Sequence, residues 1–169
     1  ALSSAASDVY KRQSFKTDAS DQLNSTKFGI PYAKKPLIFK GIYKYTPGDN
    51  YVDGSDKKNV LEHLEIVDEC SIMAVLYEAV DSEGKEVILT GHDIASSEYR
   101  VAVAVLEDGG AKAEWTTFEL PFNNLDGKSY DMSKSYKLAI VCSSSKDGAA
   151  FKGAVNSTLI IDELEVIGE

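Results

Sequence analysis

The chain has 169 residues, 43% of them hydrophobic, which is enough for one domain with a buried core. Its 18 lysines and arginines are outnumbered by 27 aspartates and glutamates, and the net charge of −9 excludes the basic surface that a nucleic-acid partner requires. No apolar stretch approaches the roughly 20 residues of a membrane helix, so we expect no transmembrane segment within this chain.

The first 30 residues differ in composition from the rest. They are rich in Ser, Ala and Asp and have no hydrophobic period, which predicts a loop or a frayed terminus. The stretch DVYKRQ at residues 8–13 also looks like the translation of a transposon-end sequencing adapter. We therefore expect residues 1–30 to be a disordered or artefactual segment that replaces an authentic first strand, and residues 31–169 to form a single β-sandwich domain.

From residue 37 onward, strand-length apolar runs are separated by turn signals rich in Gly, Asp and Asn. The runs are LIFKGIYKY (37–45), CSIMAVLYEAV (70–80), EVILTG (86–91), YRVAVAVLE (99–107), EWTTFELPF (114–122), YKLAIVCSSS (136–145) and STLIIDELEV (157–166). Because no helix long enough for a parallel crossover separates them, the pattern predicts an all-β, antiparallel β-sandwich, jelly-roll-like, with seven to eight main strands.

One stretch before the second run keeps two alternatives open. In KKNVLEHLEIVDE (57–69), apolar residues recur at helical spacing, namely Val60, Leu61, Leu64 and Val67. The same stretch also suits a strand in which Leu64 and Ile66 face inward.

The alternation in EWTTFELPF predicts one core face and one outward face. The core face comprises Phe118, Leu120 and Phe122. Trp115, Thr117 and Glu119 share the opposite face, which meets water or a ligand. Trp115 alternatively caps the core, and the sequence does not decide between these two positions.

The alternation in YRVAVAVLE predicts a second pair of faces. The core face comprises Val101, Val103 and Val105. The opposite face comprises Arg100, Ala102, Ala104 and Leu106. We expect this row of small residues to form a shallow outer floor for a covering loop, a partner or a flat sugar ring.

The last run, STLIIDELEV, places a charge among apolar residues. Strict alternation puts Asp162 on the same side as Ile160, Leu164 and Val166. Such a carboxylate would need either a bound cation or hydrogen bonds from backbone N–H groups and hydroxyls.

Signatures of catalysis are missing from the sequence. It contains no Gly-rich phosphate loop and no GxSxG motif, and His63 and His92 have no ligand partner at metal-binding spacing. Cys70 and Cys142 lie 72 residues apart without a metal or redox pattern, so they are either buried thiols or a disulfide. A carboxylate pair for glycoside hydrolysis is compatible with the many acidic residues, but the sequence does not single one out.

Four stretches together resemble a known family. They are KPLIFKGIYKYTPG (35–48), DECSIMAVLYEAVD (68–81), EWTTFELPF and SSSKDGAAFKGAVNSTLIIDELEV (143–166). In this order they are similar to the "putative carbohydrate metabolism domain" of surface or periplasmic lipoproteins of gut Bacteroidales, which is similar to jelly-roll carbohydrate-binding modules. The resemblance implies an extracellular surface or periplasmic location in a Gram-negative bacterium and a lipid anchor in the full-length protein.

The resemblance also guides the expected function. It favours a non-catalytic carbohydrate-binding module in glycan capture or utilisation, with Trp115 stacking on a sugar and Arg100, Thr117 and Glu119 orienting its hydroxyls. The alternatives are a glycoside hydrolase-like enzyme and a structural stalk or adhesion domain. In calcium-containing jelly rolls, a segment similar to IIDELEV helps to hold a structural ion, so the resemblance implies that Asp162 is either a calcium ligand or, as we favour, a metal-free structural acceptor.

Overall fold

Short and long strands dominate the described part of the chain, which is residues 21–169 except 57 and 64 in this computed structural model. The elements are η1 (Gln22–Asn24), β1 (Ile30–Tyr32), β2 (Pro36–Thr46), β3 (Tyr51–Asp53), β4 (Leu61–Glu62), β5 (Ser71–Glu78), β6 (Arg100–Val105), β7 (Lys112–Pro121), β8 (Asn123–Asn124), β9 (Tyr136–Ser143), η2 (Gly148–Ala150), β10 (Lys152–Ala154) and β11 (Thr158–Gly168). The helical elements η1 and η2 are three-residue 3₁₀ turns, and no helix in these residues is long and apolar enough to span a bilayer.

Two antiparallel sheets stack on each other, which confirms the predicted all-β sandwich. One sheet has the strand order β1-β9-β5-β6-β8 and the other has β11-β2-β7, while β10-β3-β4 form a third, smaller sheet. Aromatic residues of β2 and β7 pack against small and aliphatic residues of β5 and β6 in a shared core. At its centre the rings of Phe39 and Phe118 meet edge to face, with centroids 5.2 Å apart.

Six of the seven predicted runs contain a strand. The seventh run, at 86–91, and the stretch at 57–69 differ from the prediction. Residues 86–91 form isolated bridges at Glu86 and Leu89 and no strand. The stretch at 57–69 is neither helical nor a long strand, because only β4 forms within its described residues. Its described apolar side chains, Val60, Leu61, Ile66 and Val67, are exposed, and Leu64 lies outside the described residues.

The prediction for the two faces of β6 is wrong. Ala102 and Ala104 are buried against the other sheet, whereas Val105 is exposed on the opposite side. Both sides of β6 meet apolar residues, since Ala104 packs in the shared core and Val103 packs against a cluster on the opposite side, so alternation alone does not reveal which side faces the other sheet. A separate register irregularity leaves Val101 unmatched, and Val101 joins the same buried cluster as Ala102. The small alanine side chains therefore make room in the core for the aromatic residues of β2.

The outer side of the five-stranded sheet is covered by other parts of the chain. Val75 and Tyr77 of β5 pack beneath Val87, Leu89 and Ile94 from the segment between β5 and β6. We call this surface the covered face. Burial raises the pKa of Tyr77 to about 12, and its hydroxyl donates a hydrogen bond of 2.6 Å to the carbonyl oxygen of Phe28.

Residues 21–30 contribute to this cover, unlike the disordered or artefactual segment expected there. Phe28 packs against the covered face, and its backbone N–H donates to the carbonyl of Leu89 at 2.9 Å. The strand β1 begins at Ile30, one residue before the predicted domain boundary. Residues 1–20 of the predicted segment lie outside the described residues.

A β-bulge in β11 separates Asp162 from Leu164 and Val166, which were expected on the same side. Asp162 pairs with Ile42, but the register resumes only at Glu165, and Glu163 between them has a φ of 55°. Leu164 then packs into the core, where Gly41 leaves space for it. Asp162 therefore faces outward rather than sharing a side with Leu164.

The buried carboxylate of the fold is Asp68, which the sequence analysis did not single out. Asp68 is 1% exposed, and its Oδ2 accepts hydrogen bonds from Ser145 Oγ at 2.6 Å, Ser157 Oγ at 2.7 Å and the Ala154 N–H at 2.8 Å. Its Oδ1 accepts from the Glu69 N–H at 2.9 Å. These bonds satisfy the buried charge and tie the small sheet to the main sandwich.

Both cysteines are free thiols inside the sandwich. Cys142 pairs across the sheet with Ile72, which lies two residues from Cys70. Burial raises the pKa of Cys70 to about 11 and that of Cys142 to about 12. Because the thiolate is the reactive form, these two residues act as packing residues.

Candidate functional site

The outer side of the three-stranded sheet is the candidate site, and we call it the outer face. Its side chains are Ile160, Asp162, Glu165 and Ile167 on β11, Ile38, Lys40, Ile42 and Lys44 on β2, and Trp115, Thr117 and Glu119 on β7. Period-two alternation produces it, since the alternate residues of β2, Phe39, Tyr43 and Tyr45, are buried in the core. None of the described core clusters includes a residue of the outer face.

Trp115 is the largest exposed side chain of the outer face. It is 46% exposed, so it does not cap the core. The ammonium of Lys44 lies 5.4 Å from the centroid of its ring, which is within the range of a cation–π contact. This contact holds the indole beside β2 while leaving a large part of the ring accessible.

The other predicted binding residues are only partly brought together. Thr117 and Glu119 lie on the same strand as Trp115, opposite Ile42 and Lys40 of β2. Arg100 instead begins β6 of the other sheet, where its Nε donates a hydrogen bond of 3.2 Å to the Ser97 carbonyl.

Asp162 lies on the outer face close to Thr117, and the sequence pattern did not predict this position. It lies across Ile42 from Thr117, since both pair with that residue of β2. The signal in the sequence was the adjacent pair of acids, Asp162 and Glu163, which interrupts the alternation of STLIIDELEV. The bulge at that pair turns Leu164 and Val166 towards the core, while Asp162 stays on the outer side that it shares with Ile160.

Ion pairs engage both lysines of the outer face. Lys40 Nζ lies 3.0 Å from Glu165 Oε2, and Lys44 Nζ lies 3.9 Å from Glu114 Oε2. The hydrogen bond to Glu165 and then the charge of Glu165 raise the pKa of Lys40, and the charge of Glu119 adds to this shift. Each ammonium of this surface therefore has a carboxylate partner from a neighbouring strand.

The surroundings of Asp162 do not resemble a calcium site. Its Oδ1 accepts a hydrogen bond of 2.8 Å from the Glu163 N–H, and its cross-strand neighbour Ile42 offers no side-chain oxygen. Calcium takes six to eight oxygen ligands. Within the described residues, no group of three or more His, Cys, Asp or Glu side chains is arranged to hold a metal ion. Both alternatives for Asp162, the calcium ligand and the favoured metal-free acceptor, stay predictions.

A separate cleft of about 630 Å³ lies at one end of the five-stranded sheet. Its lining includes two glutamates, Glu78 and Glu98, together with Tyr99. Glu78 is engaged in an ion pair, because Lys134 Nζ lies 2.7 Å from its Oε1. A second cleft, of about 810 Å³, is lined by two other acidic residues, Asp49 and Glu62, so more than one cleft of the described structure carries carboxylates.

Four carboxyl groups elsewhere have displaced pKa values, and each pKa is lowered. Hydrogen bonds from Lys152 and Lys112 are the main causes at Asp53 and Asp108. Backbone hydrogen bonds are the main causes at Glu65 and Asp131. A general acid in a glycoside hydrolase requires the opposite, a raised pKa.

Known proteins resemble this chain over almost its full length. The sequence profile of the family described as "Putative carbohydrate metabolism domain" matches residues 5–167. A crystal structure described as a putative glycoside hydrolase from Bacteroides thetaiotaomicron is 37% identical and superposes with a TM-score of 0.78, covering 89% of this chain and 43% of that one.

A second crystal structure, described as a putative glycoside hydrolase from Bacteroides vulgatus, is 36% identical with a TM-score of 0.77. The match covers 92% of this chain and 62% of that chain. The chain thus spans less than two thirds of the length of either protein. No curated protein matches the chain.

Proposed function

Because the chain belongs to the putative carbohydrate metabolism domain family, we propose that it is a non-catalytic glycan-binding module that contacts sugar through the outer face around Trp115. The observation that carries this proposal is the half-exposed indole of Trp115 on a sheet face whose residues join none of the described core clusters.

The chemistry of the outer face suits a pyranose ring. A sugar presents apolar C–H groups on its ring faces and hydroxyls at its edge, and the C–H groups pack favourably on an aromatic ring. The hydroxyl of Thr117 and the carboxylate of Glu119 lie on the same side of β7 as the indole. They are placed to exchange hydrogen bonds with sugar hydroxyls.

Binding has better support than hydrolysis. A glycoside hydrolase needs two carboxyl groups about 5 to 9.5 Å apart across a cleft, one of them with a raised pKa. Here Glu165 of the outer face and Glu78 of the cleft are both held in ion pairs with lysines. The hydrolase descriptions belong to longer proteins, of which this chain matches less than two thirds.

A stalk or adhesion domain has less support for a different reason. Such a spacer needs no exposed aromatic residue on an open face, whereas Trp115 is 46% exposed. An exposed aromatic beside polar groups is the usual composition of a recognition surface.

The proposal also places the protein outside the cytoplasm, at the cell surface or in the periplasm. Polymeric glycans are too large and polar to cross a membrane unaided, so a protein that captures one works where the polymer is. The described relatives come from Bacteroides, in agreement with a Gram-negative setting.

The test uses a glycan array and the fluorescence of the protein. Trp115 is the only tryptophan in the chain, so its emission reports directly on contact with sugar. We expect saturable retention on at least one glycan, accompanied by a change in tryptophan emission. The variant Trp115→Ala should lose at least about tenfold in affinity, equivalent to about 1.4 kcal/mol, while its melting temperature stays within about 2 °C of the wild type.

A matched control separates the site from general surface effects. Met132 is 90% exposed and lies outside the outer face, so Met132→Ala should bind like the wild type. Equal binding by Trp115→Ala and the wild type would disprove the outer face as the site. A complete lack of binding across the array would disprove the glycan-binding function.

A further inference from the structure

The charges of the outer face indicate which class of glycan it would bind, an inference that rests on the proposed function. Two ammonium groups, from Lys40 and Lys44, lie on the central strand. Carboxylates lie on the strands to either side, and they are Glu114, Glu119, Asp162 and Glu165. The acidic groups therefore outnumber the basic groups on this surface.

The two lysines are not available to an incoming anion without losing a partner. Lys40 Nζ is 3.0 Å from Glu165 Oε2, and Glu119 faces Lys40 from the opposite strand. Lys44 is divided between Glu114 and the ring of Trp115. A uronate or sulfate group approaching Lys40 would meet two carboxylates flanking it, and like charges at this distance repel.

The remaining side chains of the surface are apolar or neutral. Ile160 is 50% exposed beside Lys44, and Ile167 is exposed at the other end of β11. Together with the indole they favour the C–H faces of uncharged sugar rings. Ionised carboxylates accept hydrogen bonds from sugar hydroxyls, which are good donors.

We infer that the outer face selects neutral glycans and excludes anionic ones such as uronic-acid or sulfated polysaccharides. The long-range field acts in the same direction, because the whole chain carries a net charge of −9. Arginine and lysine clusters, which recognise sulfate and carboxylate groups in other proteins, have no counterpart on the outer face, where each lysine is paired.

Affinity electrophoresis with two sets of polysaccharides tests the inference. The neutral set comprises xyloglucan, mixed-linkage β-glucan, galactomannan and starch, and the anionic set comprises polygalacturonate, alginate and chondroitin sulfate. We expect retention by a member of the neutral set, nearly unchanged from about 20 mM to about 500 mM sodium chloride. Retention by every anionic polymer should be at least about tenfold weaker.

A charge-neutralised variant probes the cause. The double variant E119Q/E165Q removes the two carboxylates that flank Lys40 and changes only exposed groups, so it should fold normally. We expect it to gain salt-sensitive retention by anionic polymers, and the further change Lys40→Met should remove that gain. Unchanged exclusion of anionic polymers by E119Q/E165Q would overturn the electrostatic selection.

Different experimental results would disprove the glycan-binding function and the selection of neutral glycans. Salt-sensitive retention of the wild type by an anionic polymer, lost in Trp115→Ala, would overturn the selection of neutral glycans and leave the glycan-binding function in place. A lack of retention by both sets would overturn the function itself, and with it this inference.

Discussion

The outer sides of the two main sheets differ in how far other parts of the chain cover them. The covered face of the five-stranded sheet lies beneath Leu89, Ile94 and Phe28, so its apolar residues are buried. The outer face of the three-stranded sheet leaves Trp115 and Ile160 about half exposed. Exposed apolar residues on only one of the two sheets favour that sheet as the binding surface, in agreement with the proposed function.

The strands at the centre of each sheet explain this difference. β5 is apolar on both sides, since Val75 and Leu76 are both fully buried although they face opposite ways. A strand of this kind needs cover on both sides. β2 alternates buried aromatics with lysines, so its second side is compatible with water.

A pair of truncations gives the largest expected contrast between the two surfaces. Leu89 is 1% exposed, so Leu89→Ala should lower the free energy of unfolding by about 2–5 kcal/mol through lost burial and a cavity. Ile160 is 50% exposed, and Ile160→Ala should cost about 0.5 kcal/mol or less. Urea denaturation measures both values. Similar losses at the two sites would contradict the division into covered and open faces.

A second pair extends the contrast from apolar residues to aspartates. Asp68→Asn weakens the acceptor of three hydrogen bonds at Oδ2, from Ser145, Ser157 and Ala154, and should cost about 1.5–3 kcal/mol. Asp162→Asn, on the outer face, should change stability by about 0.5 kcal/mol or less. Urea denaturation of both variants checks the difference. A larger loss at Asp162 than at Asp68 would show that the structural carboxylate had been assigned to the wrong residue.

Removal of calcium should have the smallest effect. Because the contacts of Asp162 supply few of the oxygens that calcium needs, we expect EDTA to leave the melting temperature unchanged to within about 1 °C. Differential scanning fluorimetry with and without added calcium measures the shift. A decrease with EDTA that calcium reverses, and that Asp162→Asn lacks, would establish the metal site.

Local pattern was enough to predict most strands and part of the candidate site. Period-two alternation placed Trp115, Thr117 and Glu119 on one side of β7, opposite the buried Phe118. It succeeded because β7 pairs with β2 without interruption from Thr116 to Pro121, and Trp115 keeps the side of Thr117 although the register shifts between Thr116 and Lys112. Arg100 was wrongly predicted to lie beside these residues, because the sequence of a strand does not reveal which sheet the strand joins.

The errors in face assignment have two physical causes. In β6, apolar packing on both sides of the sheet hid which side faces the core, because Ala104 and Val103 are packed on opposite sides. In β11, the bulge at Glu163 moved Leu164 and Val166 away from the side of Asp162. A bulge depends on pairing with a distant strand, so a single sequence reveals it poorly. The order of residues 21–30 was missed for a related reason, because it depends on a contact with Leu89 far along the chain.

The extra residue in β11 reverses which alternate residues of the strand face the core. Before it, Leu159 and Ile161 pair with the buried tyrosines of β2, and after it Val166 pairs with Phe39. Without the extra residue, regular alternation would have turned Leu164 and Val166 to solvent and Glu163 and Glu165 to the interior. One extra residue thus lets a strand with a central acidic stretch contribute apolar residues to the core at both ends, while Asp162 stays on the surface where sugar is expected to bind.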